Sequence, residues 1–275
     1  MAAATGDAAR LPVLRAVGLG LSLYARRVVA FIAIGVAGVL PLSFAQFNTD
    51  ELISEIGLVG GIFLLMALVV LGVACVVGSV SAGVARLRDS DHGIVPLGGT
   101  VLRVLPLLWG LLLLAGTALV AWLFVGTLPA VILVRSIAPT GTLWDWVLWM
   151  AIVMPPVAYL TVVFWVAIPA LVVERVGILA ALRRSAILTR GSRLRIAILA
   201  LPCVAAVLAT MFGAGYVIAN VPFGPGLPDW WELQAMQLCA VIGLGSLSAV
   251  SAATYQQLVA MEQDASRRAA IVAFD

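Results

Sequence analysis

Residues 57–84 of this chain run for 28 positions without one charged side chain. As a helix rising about 1.5 Å per residue, such a run exceeds the ~30 Å hydrocarbon core of a bilayer, and a segment of that length and continuity reads as a membrane span. Five more apolar runs accompany it, at roughly 28–47, 104–134, 144–173, 194–219 and 233–255. Composition agrees: 63% of residues are apolar and 11% charged, where soluble chains carry about 25% charged residues. The solvent for most of the surface must be lipid. The expected fold is all-α, a polytopic membrane bundle of six transmembrane helices forming a single domain over residues 1–275.

Charge sets the expected orientation. The chain has no lysine, and all 16 of its cations are arginines. With both termini cytoplasmic, fifteen arginines fall on the cytoplasmic side and only Arg135 outside, while Asp50, Glu51, Glu55, Asp145, Asp229 and Glu232 lie outside. That is the pattern the positive-inside rule describes. Residues 1–10 read as a flexible tail, and residues 11–27, with Arg15, Arg26 and Arg27 among Leu, Val and Gly, as a helix at the membrane surface. Arginine-bearing segments also lead into spans three and five, which suggests three hairpins, each preceded by a surface helix. The Arg26-Arg27 pair before a run closing in Ser43-Phe44-Ala45 also fits a cleaved export signal; the long segment ahead of it favours a retained span.

Two local features interrupt the apolar pattern. Pro155 and Pro156 remove consecutive backbone donors inside the fourth span, so that span is expected to break there, with residues 143–154 interfacial and 157–173 crossing. The carbonyls freed at such a break offer a permease or lipid transporter a pathway lining. The second feature is residues 174–195, with six arginines and one carboxylate. Within it, Gly191 is placed to end a helix in the left-handed region and Ser192 to begin the next. Residues 174–193 are thus a basic, helical, cytoplasmic segment joining spans four and five. Arg183, Arg184, Arg190, Arg193 and Arg195 are candidates to contact anionic phospholipid headgroups, each worth about 1 kcal/mol near an anionic leaflet, or a membrane protein partner or second copy. Glu174, at the lipid boundary, needs an arginine, and Arg183, Arg184 or Arg190 is within reach. Because Ile187, Leu188 and Thr189 blur the amphipathic split, protein is expected on more than one side of this helix.

No catalytic constellation is legible. The chain has one histidine and no G-x-S-x-G, H-E-x-x-H, P-loop or dinucleotide fingerprint, so no enzymatic activity and no cofactor are expected. Cys75, Cys203 and Cys239 sit in apolar runs as small core residues. Asp89, Asp91 and His92, like Asp50, Glu51 and Glu55, read as solvated loop charge, and no metal is expected. No nucleic-acid partner is expected either. Gly245, Ala249 and Ala253, four apart in the sixth span, allow a second helix to approach closely.

The stretch P-A-L-V-V-E-R-V-G-I-L-A-A-L-R-R-S-A-I-L-T-R-G, Pro169 to Gly191, resembles the membrane domain associated with glycerophosphoryl diester phosphodiesterases and related bacterial six-helix membrane proteins. Ala253 to Leu258, A-T-Y-Q-Q-L, is similar to that family's closing element, and the helix leading into span one is similar too. The chain departs from the family pattern between Leu128 and Phe164, where it carries an insertion. No soluble phosphodiesterase domain is expected among its 275 residues. The resemblance implies an integral membrane module, in some members fused to a lipid-headgroup enzyme, with no agreed activity of its own.

Overall fold

A computed structural model of the chain describes residues 13–86, 94–137, 143–220 and 230–274. The tail expected over 1–10, the charged segment with Asp89, Asp91 and His92, and the loop containing Asp229 lie outside the described residues. The described chain is helical throughout: α1 (Val13–Arg26), α2 (Val28–Phe47), α3 (Thr49–Arg86), α4 (Ile94–Ile137), α5 (Leu143–Val163), α6 (Ala167–Glu174), α7 (Ile178–Leu188), α8 (Arg193–Asn220) and α9 (Trp230–Phe274). Six stretches are long and apolar enough to cross a membrane. They fall in α2, α3, α4, α5 with α6, α8 and α9, as the runs predict.

Boundaries follow local chemistry. Gly57, at φ +74°, bends α3 between a short acidic piece holding Asp50, Glu51 and Glu55 and the apolar span. Only glycine enters that region without steric cost. Gly191, at φ +94°, ends the turn after α7 as expected, and the Ile196 amide donates to the Ser192 carbonyl at 3.0 Å to open α8. Arg175 is less expected, a non-glycine residue in the left-handed region (φ 53°, ψ 36°) between α6 and α7. The leading segments differ in kind: α1 and α7 are separate helices, whereas residues 94–103 are the first turns of α4 itself. At its other end the sixth span does not stop near Tyr255, since α9 continues as helix to Phe274.

Packing centres on α3 and α9. Phe31 of α2, stacked on Tyr24 with ring centres 5.7 Å apart, joins Val80, Val84, Ala249 and Ala252 in one buried cluster. The small-residue ladder of α9 is occupied by α1. Gly20 lies so close to α9 that a Cβ there would sit 2.8 Å from the Ala249 carbonyl oxygen, and Tyr24 lies over Gly245. Small residues thus let two backbones touch, the usual means of helix association where lipid removes the hydrophobic driving force. Away from the arginine-rich segment, α2 and α9 are tied by a neutral clamp: Ser43 Oγ donates to Gln237 Oε1 at 2.7 Å, and Gln237 Nε2 donates to Gln46 Oε1 at 2.7 Å.

The fourth span is a correction to the sequence reading. The chain remains helical through Pro155 and Pro156 and breaks later, in the turn at residues 164–166 between α5 and α6. Proline's fixed φ is itself helical, so two adjacent prolines can continue a helix that gives up two hydrogen bonds. The turn shows the shift directly: the Trp165 amide donates to Val162 O at 3.4 Å and the Ala167 amide to Phe164 O at 3.0 Å, three residues back rather than four.

Candidate functional site: the joint between α6, α7 and α9

A helix break in an apolar core leaves carbonyls without partners, and each such orphan costs about 1–3 kcal/mol. Here the break is capped by hydroxyls from neighbouring helices. Ser185 Oγ of α7 donates to Val163 O at 2.8 Å, and Thr189 Oγ1 makes a longer contact with the same oxygen at 3.4 Å. Ser251 Oγ of α9 donates to Trp165 O at 2.6 Å. Ser185 and Thr189 are fully buried and Ser251 nearly so. Around them Val162, Trp165, Val166, Leu188, Ile196 and Tyr255 form a continuous apolar cluster.

One helical turn beyond the hydroxyls lies the ionic part of the joint. Glu174, the last residue of α6, takes Arg184 as its partner among the three candidates: Arg184 Nε donates to Glu174 Oε1 at 3.0 Å. The same oxygen accepts the Tyr255 hydroxyl of α9 at 2.8 Å. Arg184 then grips Glu262 of α9 bidentately, Nη1 to Oε1 at 2.8 Å and Nη2 to Oε2 at 2.6 Å. A planar guanidinium suits this task because its donors reach two carboxylates in one plane. The bond to Glu262 is the largest effect on the Arg184 guanidinium; burial opposes it, and Glu174 adds to it, so that the group is held still more firmly protonated than usual. Three helices are thereby fastened through one side chain.

The other candidate arginines divide. Arg193 is turned toward α5, where Nη1 donates to the hydroxyl of the exposed Tyr159 at 2.8 Å and its guanidinium lies 5.5 Å from that ring's centre. Arg183 and Arg190 are exposed, Arg195 is partly exposed, and none of the three makes an ion pair among the described residues. The expectation of protein on more than one side of α7 holds for one face only. Ala181, Ser185 and Leu188 are buried, at the i, i+4, i+7 spacing of a single stripe. On the opposite stripe Leu179 is 77% and Ile187 54% exposed. Arg183 lies between them, and Arg190 follows in the next turn.

Sequence reasoning missed Glu262, Tyr159, Ser251 and the roles of Ser185 and Thr189. A signal for part of this was present: Ser251, Tyr255, Leu258 and Glu262 recur at i, i+4, i+7, i+11 and so share one face of α9. Polar residues on the buried stripe of a long apolar helix demand partners. Fold and site define a multi-pass helical membrane protein whose fourth span is broken and re-tied by side chains. No protein-family profile, curated protein or solved structure matches the chain.

Proposed function

We propose that this is a non-enzymatic protein of the bacterial inner membrane, with both termini cytoplasmic, that contacts anionic phospholipid through the outward face of α7. The observation that carries this reading is the exposed stripe Leu179, Arg183, Ile187, Arg190. Large apolar and basic side chains on one exposed helical face suit the headgroup boundary, where the apolar groups enter the acyl region and guanidiniums meet phosphates. Of the five arginines first considered, Arg183, Arg190 and Arg195 remain for lipid, while Arg184 and Arg193 are engaged by other side chains of the protein. Binding follows from charge and immersion and requires no bound cofactor.

The proposed kinship with the membrane domain associated with glycerophosphoryl diester phosphodiesterases draws support from the same joint. Glu174, Arg184, Ser185, Thr189 and Gly191 lie in the first resembling stretch and Tyr255 in the second, and each has a definite place at the break. On this reading the shared motif specifies a tied helix joint. The permease alternative looks to carbonyls freed at Pro155-Pro156; the helix runs on through both prolines, and at the break that follows it the Val163 and Trp165 carbonyls are taken by hydroxyls.

The test is to change Arg183, Arg190 and Arg195 together to glutamine, keeping Arg184, and to measure retention of phosphatidylglycerol and cardiolipin by native mass spectrometry. Retention should fall about tenfold or more, since three charges at about 1 kcal/mol each are removed. Unchanged retention by a folded variant would overturn the lipid reading and turn attention to a protein partner on the same face.

A further inference from the structure

Beside the exposed stripe, the turn after α7 and the extension of α9 enclose a groove of about 290 Å³. Its apolar surface comes from Ile187 and Leu258, and its charged lining includes Arg190 on one side and Asp264 and Arg268 on the other. Glu262 also borders the groove, but both its oxygens are occupied by Arg184. Arg190, Arg268 and Asp264 are exposed, and none of them pairs with another group among the described residues. The groove therefore presents two cationic groups and one carboxylate, of opposite sign, lining one small space without neutralising each other.

We propose that this groove binds the headgroup of an aminophospholipid such as phosphatidylethanolamine, its phosphate between Arg190 and Arg268 and its ammonium on Asp264. The charge pattern selects this class. A phosphodiester carries one negative charge and suits the two guanidiniums. A primary ammonium has three donors and can give one to a carboxylate. The headgroup of phosphatidylglycerol would leave Asp264 facing neutral hydroxyls. That of phosphatidylcholine has no N–H to donate. The source is the membrane rather than free phosphoethanolamine, because Ile187 carries the exposed apolar stripe of α7 to the edge of the groove, where acyl chains would lie. This inference rests on the reading that the α7 face meets lipid, and it adds a specific site to that nonspecific contact.

The experiment is native mass spectrometry of the full chain released from nanodiscs holding equal phosphatidylethanolamine, phosphatidylglycerol and phosphatidylcholine. Wild type should retain phosphatidylethanolamine at least about fivefold over phosphatidylcholine. Asp264→Asn should abolish that preference and raise relative retention of phosphatidylglycerol, and Arg268→Gln should lower phosphatidylethanolamine retention with Arg183 intact. Excess soluble phosphoethanolamine should not displace the lipid; displacement would mean that the site recognises the free headgroup. Indifference of the lipid profile to Asp264→Asn overturns the groove while leaving the wider lipid reading intact, provided that the triple arginine variant still loses phosphatidylglycerol. If neither variant changes retention, the wider reading fails as well.

Discussion

Two polar clamps hold this bundle, and they use different chemistry. Between α2 and α9 the clamp is neutral, a serine and two glutamines exchanging hydrogen bonds of 2.7 Å. Between α6, α7 and α9 it is ionic, one arginine shared by two carboxylates and a tyrosine hydroxyl beside them. The difference follows from surroundings. A net charge facing apolar helices and lipid costs several kcal/mol even when paired, and at the Phe47 end of α2, where Ser43 is buried and Gln46 and Gln237 are partly buried, amides and a hydroxyl hold the helices without one. At the joint, Arg184 and Glu174 keep 29% and 28% of their side-chain surface and Glu262 keeps 42%, which reduces the desolvation cost and permits ions. The same surroundings leave its neighbours, Arg183 and Arg190, exposed.

This contrast can be broken at several points. Arg184→Ala leaves Glu174 and Glu262 without their shared partner and should destabilise the protein by about 2 kcal/mol, the range for hydrogen bonds to charged groups reduced by solvent screening. Thermal unfolding in detergent would report it, and Arg184→Lys should recover only part of the loss because an ammonium cannot bridge two carboxylates in a plane. Next in size is Ser251→Ala, which strips the cap from the Trp165 carbonyl inside the core and should cost about 1–2 kcal/mol. A shift of less than a few tenths would mean that water or another donor takes over. Gln237→Leu opens the neutral clamp and should cost about 0.6–1.7 kcal/mol, as interhelical hydrogen bonds in membranes do. The clamps should also differ in salt response. Raising sodium chloride from 0.1 to 1 M should shrink the Arg184→Ala effect and leave the Gln237→Leu effect unchanged, since screening acts on partly exposed ions and not on neutral amides. Smallest is Arg183→Gln, expected within about 0.5 kcal/mol of wild type because the side chain is exposed and makes no ion pair among the described residues.

The architecture was legible in the sequence because lipid imposes a strong, one-dimensional constraint. An uninterrupted apolar run such as 57–84 has few other readings, and the described helices follow the six runs closely. The site was legible in part. That Glu174 needs an arginine follows from desolvation, yet choosing Arg184 over Arg183 requires knowing which face of α7 is buried, and that depends on how α4, α6 and α9 pack around it. Glu262 lies in a charged tail, where its place on the Ser251, Tyr255, Leu258 face of α9 is the one sign that it packs. The prolines misled for a different reason: they mark lost donors, but proline's φ is itself helical and the helix runs on through both, and the chain breaks where Ser185, Thr189 and Ser251 stand ready to receive the carbonyls. Local sequence names the residues that weaken a helix. Tertiary partners decide where it gives way.

The central claim is that two adjacent arginines have opposite tasks, Arg184 holding the joint and Arg183 facing lipid. The direct measurement compares Arg184→Gln with Arg183→Gln combined with Arg190→Gln, reading for each the unfolding temperature and the retention of anionic lipid by the folded fraction. The account predicts a lowered unfolding temperature with near-normal lipid retention for the first variant, and a near-normal temperature with reduced retention for the second. Equal effects of the two variants on both readouts, or the reverse assignment, would contradict it.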